Sequence, residues 1–175
     1  MAADARETAT SYPEAFLKAL DAALADEGGY VNSPDDPGGA TRFGISQRQY
    51  PDLDIARLTR AEATAIYYRD WWQRFEFGSL PEPIGAKLFN LAINIGPRPA
   101  TLCLQRALRA CGAAVAEDGA LGAHTREAAG RVAGATLLAA LRSEAAGHYR
   151  LLAERAGRGG RFDRFVKGWL RRAYE

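Results

Sequence analysis

Residues 27–46 read EGGYVNSPDDPGGATRFGIS. This stretch interrupts a chain that otherwise looks helical, and its reading decides the fold. Before it, Phe16, Leu17, Leu20, Ala23 and Leu24 recur at helical spacing, as one apolar stripe. Ser11, followed by Pro13 and then Glu14, predicts the start of that helix as an N-cap with a capping-box partner. Gly28-Gly29 stops it. Inside the break, Tyr30-Val31 and Phe43-Gly44-Ile45 suit strands, and NSPDDPGG between them is dense turn chemistry. A small β-hairpin is expected.

Beyond the break the chain returns to helix. TRAEATAIYYRDWWQRF predicts a helix capped by Thr59 with Glu62 at its third position. AKLFNLAINIG carries Leu88, Leu91, Ala92 and Ile95 on one side, so it should be a buried central helix closed by Gly96-Pro97. RPATLCLQRALRAC, HTREAAGRVA, TLLAALRSEAAGHYRLLAERA and RFDRFVKGWLRRAYE follow as further helices. The expected fold is mainly α (α+β): two lobes sharing a cleft, with the hairpin in the N-terminal lobe. The expected division is 11–93 for the lobe with the Glu-bearing helix and hairpin, and 94–173 for a helical lobe, in one compact unit.

A chain of 175 residues that is 47% hydrophobic buries a real core. The first residues are acidic and lack an apolar h-region, so no secretory signal is expected. No apolar run is long enough to span a membrane. Cys103 and Cys111 lie eight apart in a helical run, roughly 12 Å at 1.5 Å rise per residue. That is too far for a disulfide, so two reduced thiols are expected. With two histidines, zinc-type spacing is absent, and no metal or cofactor is expected. Residues 131–175 hold ten basic and four acidic groups. This basic region is either a solvated helix face or a surface for anionic envelope polymers. No nucleic-acid partner is expected, and the chain should act as a monomer.

Three polar residues of the break can do chemistry. Glu27 stands in the last turn of the first helix, where the negative end of the dipole disfavours a charged carboxylate. Asp26 and partial burial push the same way. A carboxylic acid kept protonated suits general-acid cleavage of a glycosidic bond; the bland alternative is a solvated helix end. Asp36, with Asp35 as competitor, is placed to return across the cleft as the second carboxylate that glycoside hydrolysis uses, or to close an Asx-turn. Thr41 can hold a water between the two, and Ser46 and Asn32 are weaker members of the same set. Asn94, on an apolar helix, either faces the cleft and binds glycan or caps backbone. Tyr30, Tyr67, Tyr68, Trp71 and Trp72 can stack on sugar faces. Helical spacing pairs Tyr68 with Trp72 and Tyr67 with Trp71, so one pair belongs to the core.

The stretch from Glu27 to Ser46 resembles the signature of glycoside hydrolase family 108, bacterial and phage N-acetylmuramidases, which reads E-G-G-Y-V-N-D-P-x-D-P-G-G-x-T-x-x-G-I-T. AIYYRDWWQRF and LFNLAINIGPRPATLCLQRAL are similar to further segments of that family. EDGALGAHTREAA is similar to the DGxxGPxT turn of small helical peptidoglycan-binding modules. The spacing of Glu27, Asp36 and Thr41 also resembles the Glu…Asp…Thr triad of phage-type lysozymes, with one residue fewer before the Thr. The resemblance implies a lysozyme-like fold and a muramidase cutting the β-1,4 bond between N-acetylmuramic acid and N-acetylglucosamine. It implies Glu27 as the catalytic acid, with Asp36 and Thr41 beside it. Tyr30, Asn32, Asp35, Ser46, Asn94 and Trp72 would contact substrate. Ser33 stands where the family often has Asp, which shifts weight to Asp36. The setting implied is a phage endolysin held in the host cytoplasm until it reaches the cell wall. A lytic transglycosylase and a non-catalytic wall-binding module are the alternatives.

Overall fold

The computed structural model describes residues 11–24, 39–155 and 163–174, with side chains described in all but 163–165. Glu27, Tyr30, Asn32, Asp35 and Asp36 lie outside the described residues, as does the expected strand Tyr30-Val31. Among the described residues the architecture is seven α-helices and one two-stranded antiparallel sheet.

Helix α1 is Glu14–Leu24 and buries Phe16, Ala19, Leu20 and Leu24. Its bonding starts where Leu17 N–H donates to the Pro13 carbonyl at 3.1 Å. That is later than a cap at Ser11 would place it. Pro13 has its φ already set for the first turn, and Glu14 pairs with Lys18 one turn on at 2.7 Å.

The hairpin is β1 (Thr41–Arg42) and β2 (Ile45–Ser46). Thr41 faces Ser46, and Arg42 faces Ile45. Phe43 and Gly44 form the turn, at φ 51° and 72°. The expected strand Phe43-Gly44-Ile45 is therefore a turn followed by one strand residue. Two successive left-handed residues are what a tight two-residue hairpin demands. Phe43, a non-glycine in that region, is held by the Tyr67 hydroxyl, which donates to its carbonyl at 3.0 Å.

Helix α2 (Arg60–Tyr67) has the expected capping box: Glu62 N–H donates to Thr59 Oγ1 at 3.3 Å, and Thr59 N–H donates to Glu62 Oε2 at 2.8 Å. The helix then widens into a π-helical turn over Tyr68–Gln73. This changes the phase of the aromatic run. Tyr67 and Trp72 both turn inward, at 2% and 5% exposure, while Tyr68 and Trp71 remain half-buried.

Helix α3 (Ile84–Ile95) is the expected central helix, with Leu88, Phe89, Leu91 and Ala92 wholly buried. It packs against α1 on one side and α4 (Pro97–Ala110) on the other. It also touches the short 3-10 turn Phe77–Ser79. Gly96, at φ 88°, makes the corner between α3 and α4. Phe16, Trp72, Phe77 and Phe89 form an aromatic cluster around it, with ring centroids 5.4 to 5.9 Å apart for the pairs Trp72–Phe89, Phe16–Trp72, Phe16–Phe89 and Phe77–Phe89. Such edge-on arrangements suit the ring quadrupoles. Gly85 lies against the Phe77 backbone, so a Cβ there would run into the Phe77 carbonyl oxygen. Gly85→Ala is expected to destabilise the fold by about 2–3 kcal/mol, as overpacking does. Thermal unfolding should show a drop of several degrees.

Helices α5 (Ala123–Arg131), α6 (Gly134–Arg155) and α7 (Asp163–Tyr174) complete the C-terminal half. Helices α4 and α6 pack together, and Leu104 and Leu108 of α4 and Leu137, Leu141, Ala145 and Ala146 of α6 are fully buried. Tyr149 stacks on Trp169 of α7 at 5.6 Å. Lys87, buried on α3, donates to the carbonyl of Arg172 near the end of α7, a cation set against a helix C-terminus. Cys103 and Cys111 are both free thiols, along and at the end of α4. Burial pushes the Cys103 thiol up to about 11, so it stays protonated and unreactive.

Candidate functional site

Of the residues named from the sequence, Thr41, Ser46, Tyr67, Tyr68, Trp71, Trp72 and Asn94 lie in the described structure. Thr41 and Ser46 come together as direct cross-strand partners on the hairpin. Thr41 Oγ1 reaches the Gly39 carbonyl at 3.4 Å, a long contact that leaves the hydroxyl easily redirected. Ser46 is engaged in the next turn: its hydroxyl accepts from Gln49 N–H at 3.3 Å, and its carbonyl accepts from Tyr50 N–H at 3.1 Å.

That turn opens onto a groove of about 390 Å³ bounded by Tyr50, Asp70, Trp71, Arg74, Phe75 and Pro97. The groove runs from the hairpin side to the α3–α4 corner. A second hollow of about 480 Å³ lies on the other side of Tyr50, toward Leu53, Ile66 and Arg69. Tyr50 is thus a wall between two depressions. Its hydroxyl donates to Asp70 Oδ2 at 3.0 Å, and Arg69 grips both Asp70 oxygens at 2.6 and 2.7 Å. The Arg69 fork, then the Tyr50 hydroxyl, hold the Asp70 carboxyl below its ordinary value despite partial burial. Burial, then the bond to Asp70, raises the Tyr50 phenol. Asp70 therefore sits in the groove as a fixed anion and Tyr50 as a fixed donor, neither suited to passing a proton near neutral pH. Trp71 and Phe75 lie beside them with centroids 6.2 Å apart, and the Arg74 guanidinium lies over the Phe75 ring at 5.7 Å. An aromatic wall with a few fixed polar groups is suited to a sugar ring.

Trp72 does not share this position. It is 5% exposed within the aromatic cluster, so it offers no free face for stacking. The π-helical turn gives the open position to Trp71. Asn94 is exposed on α3, but both ends of its amide are engaged. Its Nδ2 donates to the Asn90 carbonyl at 2.8 Å, and its Oδ1 accepts from Arg172 at 2.9 Å. It ties α3 to α7. Tyr50, Asp70, Arg74 and Phe75 were not singled out from sequence. Asp70, Arg74 and Phe75 lie in the RDWWQRF segment, whose charges flank aromatics, whereas no pattern marked Tyr50.

The DGALGAHT turn has a structural task. Gln105, 1% exposed, donates through Nε2 to Asp118 Oδ1 at 2.7 Å and to the Ala120 carbonyl at 3.1 Å. Its Oε1 accepts from Gly119 N–H at 2.8 Å. Gly119 takes φ 74°, and a Cβ there would meet Arg98 Cγ at 2.7 Å. Gln105→Leu keeps the volume but orphans these groups, and is expected to cost about 2–3 kcal/mol, read as lost thermal stability with secondary structure retained.

Among the described residues no cluster of three His, Cys, Asp or Glu side chains is placed to hold a metal ion. None of the described helices is long and apolar enough to cross a membrane.

Residues 20–96 match the family model described as Glycosyl hydrolase 108. Residues 99–174 match the model described as Predicted Peptidoglycan domain. No curated protein matches the chain significantly. Among solved structures, the one titled "Structure of Brucella abortus SagA" is 31% identical, covers 90% of this chain and 88% of its own, and superposes with a TM-score of 0.70. A match over nearly both whole chains carries the mainly α, lysozyme-like fold. This chain therefore belongs to glycoside hydrolase family 108 and is a glycosidase that acts on peptidoglycan.

Proposed function

We propose that the enzyme is a muramidase that hydrolyses the β-1,4 bond between N-acetylmuramic acid and N-acetylglucosamine. The observation that carries this reading is the nearly unbroken Glu27–Ser46 signature, which departs at Ser33 and Ser46, joined to a hairpin that sets Thr41 opposite Ser46 beside an aromatic groove. Glu27 gives its proton to the leaving oxygen. Asp36, with Thr41 holding water, activates the nucleophile or stabilises the positive charge on the sugar. Tyr30, Asn32, Asp35 and Ser46 are assigned to substrate, and Trp71 replaces Trp72 as the stacking ring.

In this reading 11–93 cuts and 94–173 holds the wall. The matched spans 20–96 and 99–174 support a division close to that one. The setting proposed is a phage endolysin, kept in the host cytoplasm until release to the cell wall and acting as a monomer. The basic region 131–175 would help it approach anionic envelope polymers.

Mass spectrometry of digested peptidoglycan tests the chemistry. Hydrolysis adds one water and leaves a reducing muramic acid. An anhydro sugar instead would make the enzyme a lytic transglycosylase, with Asp36 left to a structural role. New N-acetylglucosamine reducing ends would place the cut at the other glycosidic bond.

A further inference from the structure

The segment that matches a peptidoglycan domain contains a groove of its own. It lies between α4 and α6, wholly within residues 99–174, with a volume of about 240 Å³. Leu102 and Arg106, one turn apart on α4, form one side. His148, Leu151, Leu152 and Arg155, at helical spacing on α6, form the other. Leu151 is 50% exposed, so the groove presents apolar surface to solvent.

In the DGALGAHT turn, Asp118 Oδ1, the Gly119 N–H and the Ala120 carbonyl are bonded to Gln105. The groove's chemistry narrows what it takes. Arg106 uses its Nε on Glu117 at 3.0 Å, which occupies one of the five N–H donors of a guanidinium. Glu144 is a second acidic neighbour of Arg106. Arg155 makes no ion pair among the described residues. His148 lies within the field of both guanidinium groups, and burial, then those two charges, hold its proton affinity down. At neutral pH it is an uncharged hydrogen-bonding ring.

Peptidoglycan offers two kinds of surface. Its sugars present hydroxyl and acetamido groups. Its stem peptides present free carboxylates beside alanine methyl groups. Guanidinium groups next to leucine side chains match the second. A polyphosphate would satisfy the arginines and leave the leucines wet. We infer that the Leu102/Arg106–His148/Leu151/Arg155 groove docks the acidic stem peptide of peptidoglycan, apart from the site of glycan cleavage. The inference rests on peptidoglycan being the partner and not on which bond is cut.

The probe is a soluble four-residue wall peptide, alanyl-D-glutamyl-diamino acid-alanine, with its carboxylates free. Titrated into the full chain and followed by NMR, it should shift the Leu151 methyls and the His148 ring. Arg155→Glu exchanges an exposed cation for an anion and should weaken binding by about fivefold or more, with helicity by circular dichroism unchanged. Amidating the peptide carboxylates should have a similar effect, and added salt should weaken binding. The inference is overturned if the wild-type chain does not bind the peptide. It is equally overturned if Arg155→Glu binds as well as wild type, or if glycan strands stripped of peptide compete as effectively as the peptide. The probe has no glycosidic bond, so failure of the muramidase reading would leave this result unaffected.

Discussion

Glu27→Gln is expected to slow peptidoglycan cleavage by at least about a hundredfold while leaving the melting temperature near wild type. Glutamine keeps the shape of glutamate and most of its hydrogen bonds but has no proton to give. General-acid catalysis contributes about 10²–10⁴ in rate, so its loss should exceed any effect of slight repositioning. Turbidity loss of purified cell walls measures the rate, and a thermal scan of the same sample checks the fold. Activity within about tenfold of wild type, in a folded variant, would remove Glu27 from the chemistry. Asp36→Asn should separate its two readings: a catalytic carboxylate affects the rate, whereas an Asx-turn, which asparagine also forms, leaves it largely intact.

The neighbouring tryptophans should behave in opposite ways. Trp72 is enclosed by Phe16, Phe77 and Phe89, so Trp72→Ala opens a large cavity in the aromatic cluster. The expected loss is about 3–5 kcal/mol, a large fraction of the 5–15 kcal/mol that holds a typical domain together. A fall in melting temperature of roughly 6–20 °C follows for a chain of this size. Trp71 lines the groove and is half-buried. Trp71→Ala should leave stability within a few degrees and lower kcat/KM by about tenfold, or 1.4 kcal/mol of transition-state binding. Equal melting temperatures for the two variants would refute the assignment of Trp72 to the core.

The local features of this fold were legible in the sequence because they are decided locally. Thr59 and Glu62 satisfy each other's backbone partners within one turn, and the structure keeps that box intact. The apolar run around Leu88 and Leu91 leaves little choice but a buried helix. What escaped depends on distant partners. Phe43 reads as a strand residue by type, yet the Tyr67 hydroxyl holds it in a left-handed turn from 24 positions away. Trp72 reads as the partner of Tyr68 only if the helix keeps its period, and the widened turn over Tyr68–Gln73 removes that condition. The groove was hidden for the same reason: Tyr50 and Asp70 meet across 20 positions of sequence. Of the hairpin's polar set, Thr41 and Ser46 were named by pattern and are brought together by register. Glu27 and Asp36 rest on the signature, since they lie outside the described residues.

The central position of α3 governs how the two matched segments can be inherited. Two units joined only by a flexible tether share no packed surface, and each can be exchanged alone. Here the first segment ends at residue 96 and the second begins at 99, while α3 of the first is packed on α4 and α6 of the second. Separating them would strip one flank of α3 and uncover the surfaces of α4 and α6 that pack on it. Neither segment can be traded for a foreign counterpart without rebuilding that seam. The distance between grip and cut is then a property of the fold, and lineages of this enzyme should change wall preference by point substitution and not by domain exchange.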